Sequence, residues 1–181
     1  ALQFEPVEFN HPLYILYSSG TTGVPKCIVH GTGGTLLQHL KEHALHTDVT
    51  RDDALFYFTT CGWMMWNWLV SSLAVGSKVV LYDGAPFSPK PDFLWDMAEQ
   101  EQVTVFGTSA KYLAMLEKAG VEPRENRDLG KLKAVLSTGS PLAPSNAGTG
   151  RRSLRPAFSR RSDRAHVREL APDAACPPRR R

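Results

Sequence analysis

Hydroxyl residues, glycines and one lysine are concentrated in a short segment near the N-terminus, where residues 17–31 read YSSGTTGVPKCIVHG. Glycine lets a backbone turn its N–H groups toward an anion, and serine, threonine and lysine side chains add donors and positive charge. The Walker pattern is absent, since Gly20 and Gly23 are only three positions apart and a cysteine follows Lys26. The segment therefore predicts a phosphate-contacting loop of another type.

An ordinary glycine-rich turn is the alternative interpretation of this segment. Four hydroxyl residues, two glycines and a Pro-Lys pair within nine residues favour phosphate contact over that alternative. The candidate phosphate contacts are Ser18, Ser19, Gly20, Thr21, Thr22, Gly23 and Lys26.

Alternating apolar runs and amphipathic stretches predict the elements that must position this loop. Short β-branched and aromatic runs predict strands at residues 13–19, 26–31, 53–60, 77–84, 103–109 and from 132. Helical periodicity predicts helices at residues 33–49, 64–75, 90–102 and 110–120. This order predicts an α/β fold with a mainly parallel sheet, in which the loop joins two strands. The buried face of the first helix is predicted to consist of Leu36, Leu37, Leu40, Ala44 and Leu45.

Charge and composition divide the chain at residue 144. Residues 1–144 carry 11 Lys and Arg against 15 Asp and Glu, whereas residues 145–181 carry 10 Arg against 3 acidic residues and no Lys. The second segment shows no sustained helical or alternating period and has too few apolar residues to offset the entropy of ordering. We predict that residues 145–181 are a disordered tail or the product of a shifted reading frame in a GC-rich gene.

Isolated histidines and cysteines give weaker signals. His39, His43 and His46 are predicted to be surface residues of a helix, because no third metal ligand accompanies them. Cys61 precedes a Gly-Trp pair without a visible His-Asp partnership, so a structural role is expected. The three cysteines are too few and too far apart for a disulfide framework, and a reducing cytoplasm is the expected location. No stretch has the ~18 apolar residues that a membrane helix needs.

The segment YSSGTTGVPKCIVH resembles the phosphate loop of the adenylate-forming enzymes, a superfamily that includes the acyl-CoA synthetases and the luciferases. Two downstream segments agree with this resemblance in order and spacing. CGWMMWNWLV resembles the aromatic motif beside the acyl pocket, and LSTGSPLAP resembles the strand end and loop that touch adenine. Further details, such as KCIVHG and LYDGAPF, resemble the acetoacetate-activating branch of these synthetases.

The resemblance implies a fold, a reaction and a set of sites. Residues 1–144 would be part of the large N-terminal, AMP-binding domain of a ligase that joins acetoacetate to ATP and then to CoA. ATP, Mg²⁺ and CoA would be required by the full-length parent. Residues 18–26 would hold phosphates, while the acyl pocket would involve Gly62 and Trp63. Adenine would lie against Gly139, Ser140 and Pro141. The neighbours Met64, Met65 and Trp68 are predicted to be core residues.

Departures from the family pattern restrict what this chain is expected to do alone. After Pro144 the expected acidic metal ligand, ribose-binding Asp and C-terminal catalytic Lys are not found, so the catalytic residues stay unassigned and no metal site is predicted. We interpret the chain as an internal piece of a synthetase that is inactive by itself.

Two alternative functions stay open. One is an acetate- or propionate-type synthetase. The other is a non-catalytic nucleotide- or RNA-binding protein that uses the basic tail. RNA binding predicts aromatic residues interleaved with the basic ones, and the tail offers only Phe158. The expected partners are therefore small molecules, with neither nucleic acid nor membrane.

Overall fold

The computed structural model describes residues 2–18 and 23–140, together with the backbone of residues 167–169. The strands are β1 (Pro12–Ser18), β2 (Lys26–Gly31), β3 (Ala54–Tyr57), β4 (Lys78–Val80), β5 (Val105–Ser109), β6 (Ala134–Thr138) and β7 (Val167–Glu169). The α-helices are α1 (Thr32–Lys41), α2 (Met64–Ser71), α3 (Phe93–Gln100) and α4 (Ala110–Lys118). A π-helical segment (Glu42–His46) continues α1, and a 3₁₀ turn (Ser72–Val75) continues α2. None of the helices in this part of the chain combines the length and apolarity that a bilayer crossing demands.

Five parallel strands form the central sheet in the order β4-β3-β5-β6-β7. Tyr57 is level with Gly107, which in turn is level with Leu136. Strands that run parallel bring their carboxyl ends to one edge of the sheet, where ligands bind in open α/β folds. The predicted α/β fold with a parallel sheet is confirmed.

Two apolar clusters are formed by alternate residues of the central strands. One cluster joins Phe56 and Phe106 to side chains of α3 and α4 and includes Trp95, whose ring stacks on Phe106 with centroids 4.2 Å apart. The other joins Leu55 and Tyr57 to side chains of α2, among them the buried Met65, Trp68 and Leu69. The prediction that Met65 and Trp68 are core residues is confirmed, and Met64 packs at the border of the same cluster.

Arg127 ties the start of α3 to the loop that follows α4. Its guanidinium is paired with Asp92 and, at 2.6 Å from Nε, with the carboxylate of Asp96. Lys90 approaches the second oxygen of Asp96 at 2.7 Å. Arg127 has only 8% of its side chain exposed, so this fork is partly desolvated and differs from an ordinary surface ion pair.

The N-terminal strands form a separate antiparallel hairpin, in which Ser18 is level with Lys26. This confirms that the loop of residues 19–25 joins two strands. One face of β1 is exposed despite its apolar residues, since Leu13, Ile15 and Tyr17 are 50%, 52% and 69% exposed. Alternate residues of a strand point to opposite sides, and the described residues cover only the other side.

The predicted buried face of the first helix is wrong. Leu36, Leu37 and Leu45 are exposed, and no residue of α1 is fully buried. The helix ends at Lys41, and the wider π-helical turn that follows directs His43 inward instead. His43 has 0% of its surface exposed, so its prediction as a surface residue is wrong as well.

The segment predicted to be an unstructured tail contributes β7, which pairs parallel to β6. Three backbone residues do not test the prediction made for residues 145–181, which stays a prediction. The rest of residues 145–181 lies outside the described part of the chain.

Candidate functional site

The neck of the predicted phosphate loop lies at the end of the β1–β2 hairpin. Ser18 is the last residue of β1 and Lys26 the first of β2, so these two candidates face each other across the ladder. Lys26 is exposed, and Ser18 is half-buried. Gly23 has a φ of +137°, a conformation that residues with a Cβ rarely adopt. Ser19, Gly20, Thr21 and Thr22 lie outside the described residues.

The predicted acyl-pocket residues follow the carboxyl end of β3. Trp63 occupies the N-cap position of α2 in an extended conformation, its N–H donating to Thr60 O at 3.1 Å and its carbonyl accepting from Trp66 N at 3.0 Å. Trp63 is 39% exposed. A Cβ at Gly62 would meet nothing within 4 Å, so the backbone there is open to an approaching molecule.

Tyr57 is a buried support beneath Trp63 that the sequence analysis did not single out. Its ring meets Trp63 edge-on, with centroids 6.4 Å apart, and meets Trp68 edge-on at 6.1 Å. The phenol donates to Thr108 O at 3.2 Å. Burial raises the pKa of Tyr57, which keeps the phenol neutral. The ring lies over Gly107, where a Cβ would clash with it, so a residue without a side chain is required.

The predicted adenine loop begins where β6 ends. Gly139 has a φ of +93°, and both Gly139 and Ser140 are exposed. Thr138, just before them, is level with Ser109, whose hydroxyl caps α4 by accepting from Tyr112 N at 3.2 Å. Pro141 lies outside the described residues.

The sheet thus brings two of the three predicted sites to one edge. The segment carrying Trp63 leaves β3, the segment carrying Gly139 leaves β6, and β5 lies between these strands. A crevice at the carboxyl ends of parallel strands is the usual ligand position of such sheets. The hairpin carrying Lys26 is joined to this unit through α1, which packs against α2.

A family model described as "AMP-binding enzyme" matches residues 2–157, most of the chain. The chain belongs to the AMP-binding enzyme family. It is 58% identical over 143 residues to "Acetoacetyl-CoA synthetase" of Danio rerio, with 79% of this chain and 21% of the relative covered. It is 61% identical over 143 residues to "Acetoacetyl-coenzyme A synthetase" of Rhizobium meliloti, with 79% and 22% covered.

Among solved structures, this AMP-binding chain is similar to "Acetoacetyl-CoA Synthetase from Streptomyces lividans", with a TM-score of 0.78 and 49% identity. The match covers 83% of this chain and 23% of that one. The chain spans about a fifth of the length of the curated relatives it matches. The resemblance drawn from the loop motif, to adenylate-forming enzymes and their acetoacetate-activating branch, is confirmed.

The described residues contain no group of three His, Cys, Asp or Glu side chains that could hold a metal ion. Two supports of α2, Glu42 and His43, were not predictable from the sequence pattern. A histidine and a glutamate in a helical pattern are typical of a solvated face. Their supporting role depends on the π-helical turn, which the hydrophobic periodicity of the sequence does not reveal.

Proposed function

We propose that this chain is part of an AMP-forming acid–thiol ligase that activates acetoacetate and transfers it to CoA. The observation that carries the proposal is the pairing of Ser18 with Lys26 across the neck of a loop with the family's phosphate motif. The identity of 58–61% to acetoacetyl-CoA synthetases supports acetoacetate over acetate or propionate.

In the first half-reaction, a carboxylate oxygen of acetoacetate attacks the α-phosphorus of ATP. The bond to the bridging oxygen breaks, and pyrophosphate leaves with the electron pair. Residues 18–26 contact the β- and γ-phosphates, where negative charge accumulates, and the Lys26 ammonium offsets that charge. Preorganised donors directed at developing charge are among the strongest contributors to catalysis.

In the second half-reaction, the CoA thiolate attacks the carbonyl carbon of the acyl-adenylate, and AMP leaves with the electrons of the broken carbon–oxygen bond. Trp63 and Gly62 border the acyl group through both steps, while Gly139, Ser140 and Pro141 lie against adenine. Mg²⁺ would spread the charge of the phosphates, but the described residues provide no metal-binding group, so we assign it no ligand and no step.

A chimaera tests this function directly. The matching 143 residues of the Rhizobium meliloti relative are replaced by those of this chain, and pyrophosphate release is followed with ATP, Mg²⁺, CoA and acetoacetate, acetate or propionate. We expect turnover with acetoacetate at an ordinary enzymatic rate, roughly 1–10³ s⁻¹, and none from the 181-residue chain alone. A chimaera that folds yet prefers acetate or propionate would contradict the substrate assignment.

We also propose that the AMP-binding unit comprises residues 1–144 and that residues 145–181 derive from another reading frame. The all-Arg basic set supports this boundary, although the family match runs to residue 157. Translation of the gene in its other two frames beyond codon 144 should give a helix followed by a Thr-Glu- or Thr-Asp-type motif. Stop codons or unrelated sequence in both frames would contradict it.

The exposed free thiols of Cys27 and Cys61 support a reducing, cytoplasmic location.

A further inference from the structure

Two consecutive residues of the π-helical segment, Glu42 and His43, contact the same tryptophan of α2. His43 Nε2 lies 2.9 Å from Trp68 O and 3.0 Å from Ser71 Oγ. The indole Nε1 of Trp68 donates to Glu42 Oε2 at 2.9 Å. His43 and Trp68 also pack ring against ring, with centroids 4.2 Å apart. The main chain and the side chain of Trp68 are therefore both held from one turn.

The hydrogen-bond pattern assigns the proton on His43. Ser71 Oγ donates its own hydrogen to Trp68 O at 2.7 Å, so toward His43 it can only accept. Trp68 O is likewise an acceptor, and thus Nε2 must carry the hydrogen. The opposite nitrogen, Nδ1, is buried and has no partner among the described residues. His43 is therefore a neutral donor held in a single orientation.

The change of helix type makes this double contact possible on both sides. Thr47 N donates to Glu42 O at 2.9 Å, five residues back, so the turn is wider than an α-helical one and separates consecutive side chains by a smaller rotation. On α2, the amide of Ser72 donates to Leu69 O, one residue later than an α-helical bond to Trp68 would require. The Trp68 carbonyl is thereby left for His43 and Ser71.

Trp68 connects this contact to the acyl-pocket residue. It meets Tyr57 edge-on, and Tyr57 meets Trp63 edge-on in turn. Trp63 is the N-cap of α2, and Trp68 lies about a turn and a half further along the same helix. On the other side, the π-helical segment continues α1, which follows β2 directly and so leads back to Lys26.

We propose that His43 and Glu42 are positioning residues, which fix α2 so that Trp63 borders the acyl pocket in register with the phosphate-loop hairpin. This role rests on the function proposed above, but the coupling from His43 to Trp63 can be measured without it. A shift of about 1 Å in a substrate-positioning group can cost up to about 10²-fold in rate, so such supports affect catalysis without touching substrate.

The first experiment uses the full 181-residue chain labelled with 5-fluorotryptophan, whose four tryptophans are assigned by single Trp→Phe substitutions. We expect His43→Leu to move the ¹⁹F signals of both Trp68 and Trp63. His43→Gln, which retains a donor in place of Nε2, should restore them. His46→Gln is the matched control, since His46 lies in the same turn and is exposed. A shift of Trp68 without any change at Trp63 would overturn the proposal.

The second experiment measures kinetics in the chimaera. His43→Leu should raise KM for acetoacetate about tenfold and leave KM for ATP within about twofold, because α2 borders the acyl group and not the phosphates. Loss of kcat with both KM values unchanged would indicate general loss of folded enzyme and would refute a positioning role. If His43→Leu does not fold, the same KM comparison is made with Ser71→Ala. This substitution removes only the hydroxyl that lies between His43 and Trp68. An inactive wild-type chimaera would count against the proposed function, while the ¹⁹F signals would still decide the coupling.

Discussion

Acidification from about pH 7 to about pH 4.5 should destabilise the folded chain through one buried side chain, His43. Burial of the ring lowers the pKa of His43 from 6.5 to about 4, helped by the nearby His39 and opposed by the hydrogen bond with the Trp68 carbonyl. The groups that face the ring from α2 are that carbonyl and the Ser71 hydroxyl, and neither titrates. On its own helix the ring has Glu42 and His39 as titratable neighbours.

The sign and size of the effect follow from the difference between the two states. In the unfolded chain, a histidine begins to take up a proton near pH 6.5, whereas the folded chain resists protonation of His43 until about pH 4. The unfolded state is thus favoured as the pH falls through this window. At about 1.4 kcal/mol per pH unit, the loss reaches about 3 kcal/mol, of which about 2 kcal/mol is gone by about pH 5. This is a large share of a typical domain stability of about 5–15 kcal/mol.

Urea unfolding of the 181-residue chain, followed by tryptophan fluorescence at several pH values, measures this loss. His43→Gln keeps a donor for Trp68 O but cannot titrate, so its stability should fall less steeply with decreasing pH. Asp53 and Asp96 contribute losses of their own below this range. Burial raises the pKa of each carboxyl, but the hydrogen bonds that each accepts, from Lys133, Thr50 and Thr104 at Asp53 and from Lys90 and Arg127 at Asp96, together with the charges of Lys90 and Arg127 at Asp96, leave both pKa values below the ordinary value. Both losses cancel in the comparison. His46→Gln, at an exposed position, should behave like the wild type. Parallel curves for the wild type and His43→Gln would refute the reasoning.

Three further substitutions test other parts of the molecule. Lys26→Ala in the chimaera should slow adenylation about 10²–10³-fold and leave thioester formation from preformed acyl-adenylate nearly unchanged, because pyrophosphate has gone by the second step; equal slowing of both steps would contradict this assignment. Gly107→Ala should lower the free energy of unfolding in urea by about 1–3 kcal/mol, because the added Cβ meets the Tyr57 ring. Combining it with Tyr57→Leu should recover part of that loss. Additive losses in the double variant would count against the clash. Arg127→Lys should lose about 1–2 kcal/mol in the same assay, since one ammonium cannot replace a fork shared between two carboxylates; an unchanged midpoint would show that the fork contributes nothing.

Features governed by local backbone chemistry were predictable from the sequence. The stop of α4 at Gly120 is one example: its φ is +67°, its amide donates to Glu117 O, and the next amide donates to Leu116 O, a glycine-terminated helix end. The hairpin around the loop and the parallel strands were predictable for the same reason, since short β-branched runs separated by helices leave few topologies. The loop between Ser18 and Lys26 joins two strands as predicted, whereas phosphate contact by Lys26 stays a prediction.

Features governed by what lies opposite a residue were not predictable. Leucines on α1 were assigned to the core because a helical pattern reports which side chains share a face, not which face meets a neighbour. The π-helical segment that continues α1 reaches α2 through His43, whose polar ring fits because α2 offers it a carbonyl acceptor. A buried polar side chain depends on such a partner, and the partner is 25 residues away in the chain.

The β1–β2 hairpin also shows that burial depends on what packs opposite a strand and not on the strand's own composition. The apolar run of β1 has the composition of a strand covered on both sides, since Leu13, Ile15 and Tyr17 alternate with Tyr14 and Leu16. The structure covers one side in the described residues and exposes the other. Two-stranded hairpins are at best marginally stable in water, so the position of the phosphate-loop neck depends on its attachment to α1. That attachment is made by α1 itself, which precedes the π-helical turn in the chain, so the packing of His43 and Glu42 bears on Trp68 and Trp63 rather than on the phosphate-loop neck.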